Sequence, residues 1–467
     1  MADKKENKTQ SLKEKLLMSK KNGYFTAKKK DLDQVDEFAK GYIKFLNSSK
    51  TERLANKNII ELAKQNGFVE FDPDKKYKAG DKVYVDHRKK AVILAVIGKK
   101  SVAEGVRIAA AHIDSPRLDL KPDPLYEADE LGYFKTHYYG GIKKYQWPTI
   151  PLSLYGVIVK ADGEAVEVSL GDGENDPKFV ITDLLPHLGA EQSKRPLGQG
   201  IKGEELNILI GSRPFNDDKE SQAVKLNIMS LLFDKYGITE SDFESAELEF
   251  VPSFPVCDIG FDRSLVGGYG HDDRVCAYPA VMAALGAKDP EYTAISVLTD
   301  KEEIGSVGNT GLQSAYMVNF INDLAKQQKT DGYNVLRHSK CLSADVTAAY
   351  DPTFADVNDK NNSAFCNHGV CIMKYTGSRG KSGTSDANAE YMGEIRKMLN
   401  DNKVIWQTGE LGKVDAGGGG TVAMFIANLD VDTIDLGVPV LSMHSPFEVI
   451  AKFDLYMAFK AFSVFFE

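Results

Sequence analysis

Glu302 and Glu303 stand side by side where the apolar run Tyr292-Thr-Ala-Ile-Ser-Val-Leu-Thr299 breaks into Asp300-Lys-Glu-Glu-Ile-Gly-Ser306. A run of that kind reads as a buried strand, so its carboxyl end brings two carboxylates to the sheet edge at which open α/β folds build their sites. Burying a carboxylate costs several kcal/mol unless positive charge compensates it, and a metal ion does so without a counter-residue. Neighbouring side chains diverge, so one can ligate while the other faces the metal-bound water. More residues of ligand type mark the ends of separate elements: His112 after Arg107-Ile-Ala-Ala-Ala111, Asp272 at the head of a helix in Gly270-His-Asp-Asp-Arg-Val275, Asp345 after Lys340-Cys-Leu-Ser-Ala344, and His444 after Val438-Pro-Val-Leu-Ser-Met443.

Each has a plain explanation in isolation. The acidic pair suits a first helical turn, a lone histidine is more often a hydrogen-bonded structural residue, and Asp272 or Asp345 could cap an element. Their conjunction argues for a metal centre. Two imidazoles and three carboxylates suit two borderline ions that share a carboxylate, with zinc the first choice. The charges balance, two divalent cations standing against Asp272, Asp345, Glu303 and one bridging hydroxide. Such a pair lowers the pKa of its water and polarises a carbonyl, while Glu302 beside it collects the proton.

A large core must hold these residues. The chain has 467 residues, 42% hydrophobic and 27% charged, which fits two or three globular domains and argues against disordered or fibrous classes. With 58 Lys plus Arg against 67 Asp plus Glu, the net charge of -9 argues against a nucleic-acid binder. Cys257, Cys276, Cys341, Cys366 and Cys371 contain no Cys-x-x-Cys pair, which fits a reducing compartment without a disulfide framework. The charged N-terminus leads into no signal-like apolar segment, and no run of about 18 apolar residues is present, so a cytoplasmic protein away from membranes is expected.

Residues 1–30 are Lys-rich and read as an arm or mobile lead-in. Helical spacing covers 31–47 and 54–65, and β runs cover 90–97 and 105–111. From 118 to 253 short β-like pieces (151–161, 165–169) alternate with Gly, Asp and Asn turns around one helix at 220–236, the texture of a separate α+β insert. The βαβ rhythm then returns: helix 277–285, strands 293–299, 340–343 and 370–375, helix 388–400, strands 403–408 and 433–442, and a last helix 447–466. Alternating helices and apolar strands imply a largely parallel or mixed sheet covered on both faces.

The strings Ala110-Ala-His-Ile-Asp-Ser-Pro-Arg117, Asp300-Lys-Glu-Glu-Ile-Gly-Ser306, Ser343-Ala-Asp345 and Leu441-Ser-Met-His-Ser-Pro446 resemble the aspartyl aminopeptidase family of metallopeptidases, which includes vacuolar aminopeptidase I. The resemblance runs in order over nearly the whole chain. It implies an α/β fold with a zinc exopeptidase-type sheet covered by helices on both faces, residues 1–117 plus 254–467 forming the catalytic domain and 118–253 an inserted, smaller β-rich dimerisation domain. It also implies two zinc ions per subunit, with cobalt or manganese as substitutes. His112, Asp272 and Asp345 would bind one ion and Asp272, Glu303 and His444 the other, Asp272 bridging. Glu302 would be the general base and Asp114 the outer carboxylate that holds His112. The implied reaction removes an acidic or neutral N-terminal residue from peptides, in a homo-oligomer that is a tetrahedral dodecamer. His187, in Leu185-Pro-His-Leu188, resembles the histidine that the insert lends to a neighbouring subunit to steady the oxyanion; on its own it reads as a turn histidine.

Departures bear on specificity. His271-Asp272-Asp273 replaces a frequent Leu-Asp-Asn and keeps the bridging Asp. After Gly140-Gly141 the chain runs Ile-Lys-Lys-Tyr-Gln-Trp-Pro where many members carry Trp-Phe-Asp-Arg-Asp. Met373, rather than Lys374, falls where acid-specific members have a basic residue. Gly417-Gly-Gly-Gly420-Thr421 lacks the Lys-Ser/Thr of a phosphate loop and reads as a backbone-exposed loop beside the site; Cys276 reads as helix packing. One alternative is another dimetal amide hydrolase, a deacylase or carboxypeptidase. Another is a catalytically silent scaffold, against which stands the intact set of ligands and base.

Overall fold

The computed structural model describes residue 9 and residues 11–18, 20–173, 175–217 and 219–467. Part of the 1–30 lead-in lies outside them. Its later part is docked: Gly23 is buried against the Phe453 ring and donates its amide to Asn367 O at 2.6 Å.

A nine-stranded sheet runs through the centre, formed by β1 (Val69–Glu70), β2 (Lys82–His87), β3 (Ala91–Val96), β4 (Arg107–His112), β5 (Ala294–Thr299), β6 (Lys340–Ser343), β7 (Val370–Met373), β8 (Trp406–Thr408) and β9 (Asp432–Gly437). Their spatial order is β1-β2-β3-β5-β4-β6-β9-β7-β8. Strands β5, β4, β6 and β9 are mutually parallel, whereas β3 and β7 join this block antiparallel, so the sheet is mixed.

Both faces are covered. Along β3, Val92, Leu94 and Val96 face one apolar cluster, while Ala91, Ile93 and Ala95 face another, as the two-residue period of a strand dictates. The first cluster takes in α1 (Lys29–Ser48), α2 (Glu52–Gln65), α3 (His271–Gly286) and, further along the chain, α5 (Ala389–Asp401) and α6 (Lys452–Phe466); the second takes in α4 (Tyr316–Gln327). Val35, Ala39, Tyr42 and Leu46 recur at three or four residues on α1 and are all buried. Each large apolar side chain so buried contributes about 1.5–3 kcal/mol. Thr51 and Asn388 accept amides at the heads of α2 and α5. Helix α3 is buried nearly all round, and its first turn departs from helical geometry at Asp272 and Asp273.

The strand read at 433–442 is two. After β9 the chain leaves the central sheet, and Pro439–Leu441 joins a five-stranded sheet with Thr347–Ala348, Glu448–Ala451, Leu265–Gly268 and Cys257–Ile259. Gly437 passes so close to Asp345 that a Cβ there would lie 1.6 Å from its carbonyl oxygen. The last helix begins at Lys452 rather than 447, because Glu448–Ala451 pairs with Leu265–Gly268. Helix α3 begins at His271, ahead of the expected 277.

A second, seven-stranded antiparallel sheet spans the stretch from Arg117 to Pro252, in the order Ala165–Leu170, Leu152–Val159, Ala246–Pro252, Arg117–Ala128, Leu131–Tyr139, Ile208–Gly211, Val180–Ile181. It has its own core, with Phe134, Trp147 and Phe250 among its largest members. The helix Ala223–Tyr236 accompanies it and leaves Leu226, Leu231 and Phe233 exposed. Charged side chains stitch this sheet to α2 and β3. Buried Arg117 lies 2.6 Å from Glu249, 2.7 Å from Asp119 and 3.4 Å from Glu52, and Lys90 lies 3.2 Å from Glu52 and 3.1 Å from Glu247. No helix among the described residues is long and apolar enough to cross a membrane.

Candidate metal centre

Parallel pairing brings the ligand-type residues to one edge. Thr299 at the end of β5 sits in register with His112 at the end of β4, so Glu302 and Glu303 leave the sheet beside that imidazole. Ser343 of β6 pairs with Ala110, which places Asp345 on the other flank. Asp272 arrives from the irregular head of α3 and His444 from the turn after Pro439–Leu441. Lys301 and His444 both hold left-handed backbone, φ 66° and 63°. Such positions cost about 1–3 kcal/mol for residues with a Cβ and persist where surrounding structure fixes them.

The bridging geometry centres on Asp272. Its Oδ1 lies 3.1 Å from His112 Nε2, and its Oδ2 lies 3.1 Å from His444 Nε2. Asp345 Oδ1 and Glu302 Oε2 are each 3.9 Å from His112 Nε2, and Glu303 Oε2 is 3.6 Å from His444 Nε2. The nitrogen or oxygen atoms of His112, Asp272 and Glu303 converge within 4.8 Å of one another, as do those of His112, Asp273 and Asp345.

The other imidazole nitrogens are committed elsewhere. His112 Nδ1 is 3.1 Å from Asp114 O and 3.3 Å from Asp114 Oδ1, and His444 Nδ1 is 2.8 Å from Gly141 O. In the neutral ring that donates Nδ1–H to these oxygens, each Nε2 presents a lone pair to a carboxylate. Two acceptors 3.1 Å apart repel unless something positive lies between them. Buried Asp272 Oδ1 and Glu303 Oε1 have no hydrogen-bond donor. The residues therefore fit divalent cations of the zinc class, which take imidazole nitrogen and carboxylate oxygen.

Electrostatics express the same demand. Burial opposes charge on Asp272, yet His112 and His444 hold it well below the usual carboxylate range. Burial likewise opposes the imidazolium of His112, but Asp114 and Asp272 raise it well above its ordinary value, and Asp272 and Glu303 bring His444 to about 10. Burial drives Glu303 and Asp345 well up and Glu302 to about 7. Protons here stand where cations would otherwise supply the charge.

Asp114 is fully buried and works as a hub. Its carboxylate accepts the amides of Glu302 and Glu303, each at 3.2 Å, and the Tyr139 hydroxyl at 2.8 Å. His187 lies apart, in the exposed turn Pro186–Leu188, and makes no hydrogen bond or ion pair with this cluster within its own chain. Sequence reasoning missed Glu448, which accepts the amides of His444 at 2.8 Å and Asp272 at 3.1 Å. It also missed Asp273, whose Oδ2 accepts the His112 amide at 3.3 Å. Glu448 carries no periodic signal, and Asp273 was readable only as the neighbour of Asp272.

A cavity of about 410 Å³ opens onto the cluster, lined by Glu302, Asp345, His444, Met373 and Gly417–Gly420 with Thr421, and further by Arg379, Lys381, Lys413 and Glu410. The glycine stretch thus lies beside the centre as expected, but part of it is not an open loop: Gly418–Gly419 pairs antiparallel with Gly377–Ser378. Lys374 is not among the lining residues and sits 3.5 Å from Asp386. Cys276 is buried in α3.

Comparison with known proteins adds an independent line. A family model described as aminopeptidase I zinc metalloprotease (M18) matches residues 45–466. The probable M18 family aminopeptidase 1 of Clostridium acetobutylicum is 46% identical over 458 residues, covering 96% of this chain and 98% of its own. The crystal structure of an M18 family aminopeptidase from Thermotoga maritima matches with a TM-score of 0.93 at 43% identity, covering 96% of this chain and 99% of that one. The S. cerevisiae mApe1 dodecamer, at 20% identity and a TM-score of 0.75 over 93% of this chain and 97% of that one, shares the fold.

Proposed function

The chain belongs to the M18 family of aminopeptidase I zinc metalloproteases, and from that premise we propose how its own residues remove the N-terminal residue of a peptide. His112, Asp272 and Asp345 would hold one zinc ion and Asp272, Glu303 and His444 the other. The observation that carries this is the pair of 3.1 Å approaches, one imidazole Nε2 at each oxygen of Asp272. When bound, such ions would supply a water of lowered pKa and a Lewis acid for the scissile carbonyl.

Glu302 is the general base. It lines the cavity, ligates neither ion, and takes the proton of the attacking water before returning it to the leaving amine. Carboxylates facing the cavity anchor the substrate's free amine. Met373 and Leu411 offer apolar contact to a neutral first residue, and Arg379, Lys381 and Lys413 offer positive charge to an acidic one.

Residues 118–253 form the dimerisation insert of a homo-oligomer, a tetrahedral dodecamer. The exposed Leu226 and Phe233, which line a groove with Phe215, support this, since contiguous exposed apolar surface marks interfaces. His187, exposed and remote from its own chain's cluster, serves a neighbour's oxyanion.

The test is a panel of chromogenic substrates carrying Asp, Glu, Leu or an N-acetylated residue. Activity is expected to vanish on chelation, to return with zinc, cobalt or manganese, and to require a free amine. Turnover by metal-free protein, or cleavage of the acetylated substrate, overturns the reading.

A further inference from the structure

We infer that Tyr139, Gly140 and Gly141, where the strand Leu131–Tyr139 of the second sheet ends, position both metal-binding histidines, and that Tyr139 is a positioning residue for the reaction. The inference rests on the two-ion reading above. It concerns groups that touch neither ion nor substrate.

Tyr139 acts through Asp114. Its hydroxyl donates to Asp114 Oδ2 at 2.8 Å, and that carboxylate faces His112 Nδ1 at 3.3 Å while accepting the amides of Glu302 and Glu303. The phenol thus fixes the rotation of a carboxylate that faces His112 Nδ1 alongside the Asp114 backbone carbonyl, itself at 3.1 Å, and that seats the backbone of both glutamates. The phenol is itself held. It is buried, and the Arg117 guanidinium stacks on its ring 3.8 Å from the centroid, fastened by Glu249 at 2.6 Å and Asp119 at 2.7 Å.

Two residues on, the Gly141 carbonyl accepts the His444 Nδ1 proton at 2.8 Å. Gly140 is the position that calls for glycine here. Gly140 has φ +76°, and a Cβ there would lie 3.3 Å from both Cβ and Oε2 of Glu303; a Cβ on Gly141 would lie 3.4 Å from His444 Nδ1. One short stretch therefore orients an imidazole from each ligand set. Groups that fix a ligating histidine in this way set its tautomer and its basicity. Loosening the stretch weakens both ions together, whereas removing one histidine strikes first at one ion.

The test is Tyr139→Phe, which deletes one hydroxyl and keeps the ring beneath Arg117. Metal-stripped wild type, Tyr139→Phe and a neighbouring control, Tyr138→Phe, are titrated with zinc against a chromogenic chelator. Their kcat, KM and metal-free melting temperature are measured alongside. Wild type is expected to take up two ions. Tyr139→Phe should bind both about 10–100-fold more weakly, with a lower kcat, an unchanged KM and an unchanged metal-free melting temperature, and excess zinc should restore part of the rate. Tyr138→Phe should match wild type. Gly140→Ala, which presses on Glu303 from the same side, is the second variant and should weaken zinc by the same range. Failure of wild type to bind zinc sinks the underlying reading. Wild-type affinity and kcat in both variants overturns this inference alone, as does a drop in the metal-free melting temperature with zinc affinity unchanged.

Discussion

Glu302→Gln separates proton transfer from metal binding. The substitution keeps the length and shape of the side chain and leaves His112, Asp272, Glu303, Asp345 and His444 untouched. The loop does not depend on the carboxylate for its conformation, because the Glu302 and Glu303 amides are held by Asp114 and not by the Glu302 side chain. Zinc content should therefore equal that of wild type. Loss of a positioned general base costs about 10²–10⁴-fold, or about 2.7–5.5 kcal/mol at 1.36 kcal/mol per decade. The loss should fall on kcat with little change in KM, since the base acts on the water rather than on the bound peptide. The pH profile supplies a second reading. Burial raises Glu302 to about 7, and a base must be ionised to act, so the rate rises with pH through its pKa. Cations nearby favour the carboxylate, so the acid limb of kcat/KM in the loaded wild type should lie below about 7 and be absent in Glu302→Gln. Stopped assays on an aminoacyl chromogenic substrate from pH 5 to 9, with zinc measured on the same samples, decide the matter. A rate within tenfold of wild type at neutral pH, or an unchanged acid limb, refutes the assignment; loss of zinc would make Glu302 a ligand instead.

The seam between the two sheets carries its own pH signature. Burial opposes the Glu52 charge, but Arg117 and Lys90 outweigh it and lower its carboxyl to about 2, while burial sends neighbouring Glu249 well up. A folded-state pKa below the unfolded value contributes stability that is complete above about 4.5 and is lost as pH falls towards about 2. Glu52→Gln should destabilise the protein at neutral pH by on the order of 3 kcal/mol and flatten its acid dependence between pH 4.5 and 2; parallel acid profiles in urea titrations would count against this. For assembly, Phe233→Asp on the exposed helix face should lower the mass found by light scattering without altering the circular dichroism spectrum, and an unchanged mass moves the interface elsewhere.

Strand ends were the most legible part of the chain. Lys340–Ser343 is read at its observed bounds, and the proposed ligands stand close to the element ends that the apolar pattern marks: His112 closes its strand, Asp345 lies two residues past Ser343, His444 three past Leu441 and Glu303 four past Thr299, while Asp272 stands at the head of α3. What escaped was information held by a second element. The run 433–442 holds enough apolar residues to read as one strand, and only Gly437 and Pro439 mark locally that the chain changes sheets at Val438. That change is enforced by the closeness of Gly437 to Asp345 and by Pro439, which has no N–H to donate. Glu448 looks like the first turn of a helix, and its work on His444 and Asp272 appears only once residues 265–268 lie beside it. Tyr139 is one of 20 tyrosines, and its bond to Asp114 spans 25 positions. Helix α4 goes unread although its signal is local: Tyr316, Met317, Phe320, Ile321 and Leu324 carry an amphipathic period in the sequence itself.

The ties from Tyr139 to Asp114 and from Gly141 to His444, together with the Arg117–Glu52 and Lys90–Glu247 pairs, all run between the stretch Arg117–Pro252 that carries the second sheet and the rest of the chain. Joining Pro116 directly to Ser253 would spare every proposed zinc ligand, and on paper it yields a minimal peptidase. That shortened chain would leave His444 free to rotate, Asp114 short of a donor and Glu52 beside Lys90 without its arginine. The stretch Arg117–Pro252 is therefore not a detachable module in the engineering sense. A smaller enzyme cut from this scaffold would have to rebuild its outer hydrogen bonds before it could be expected to hold metal.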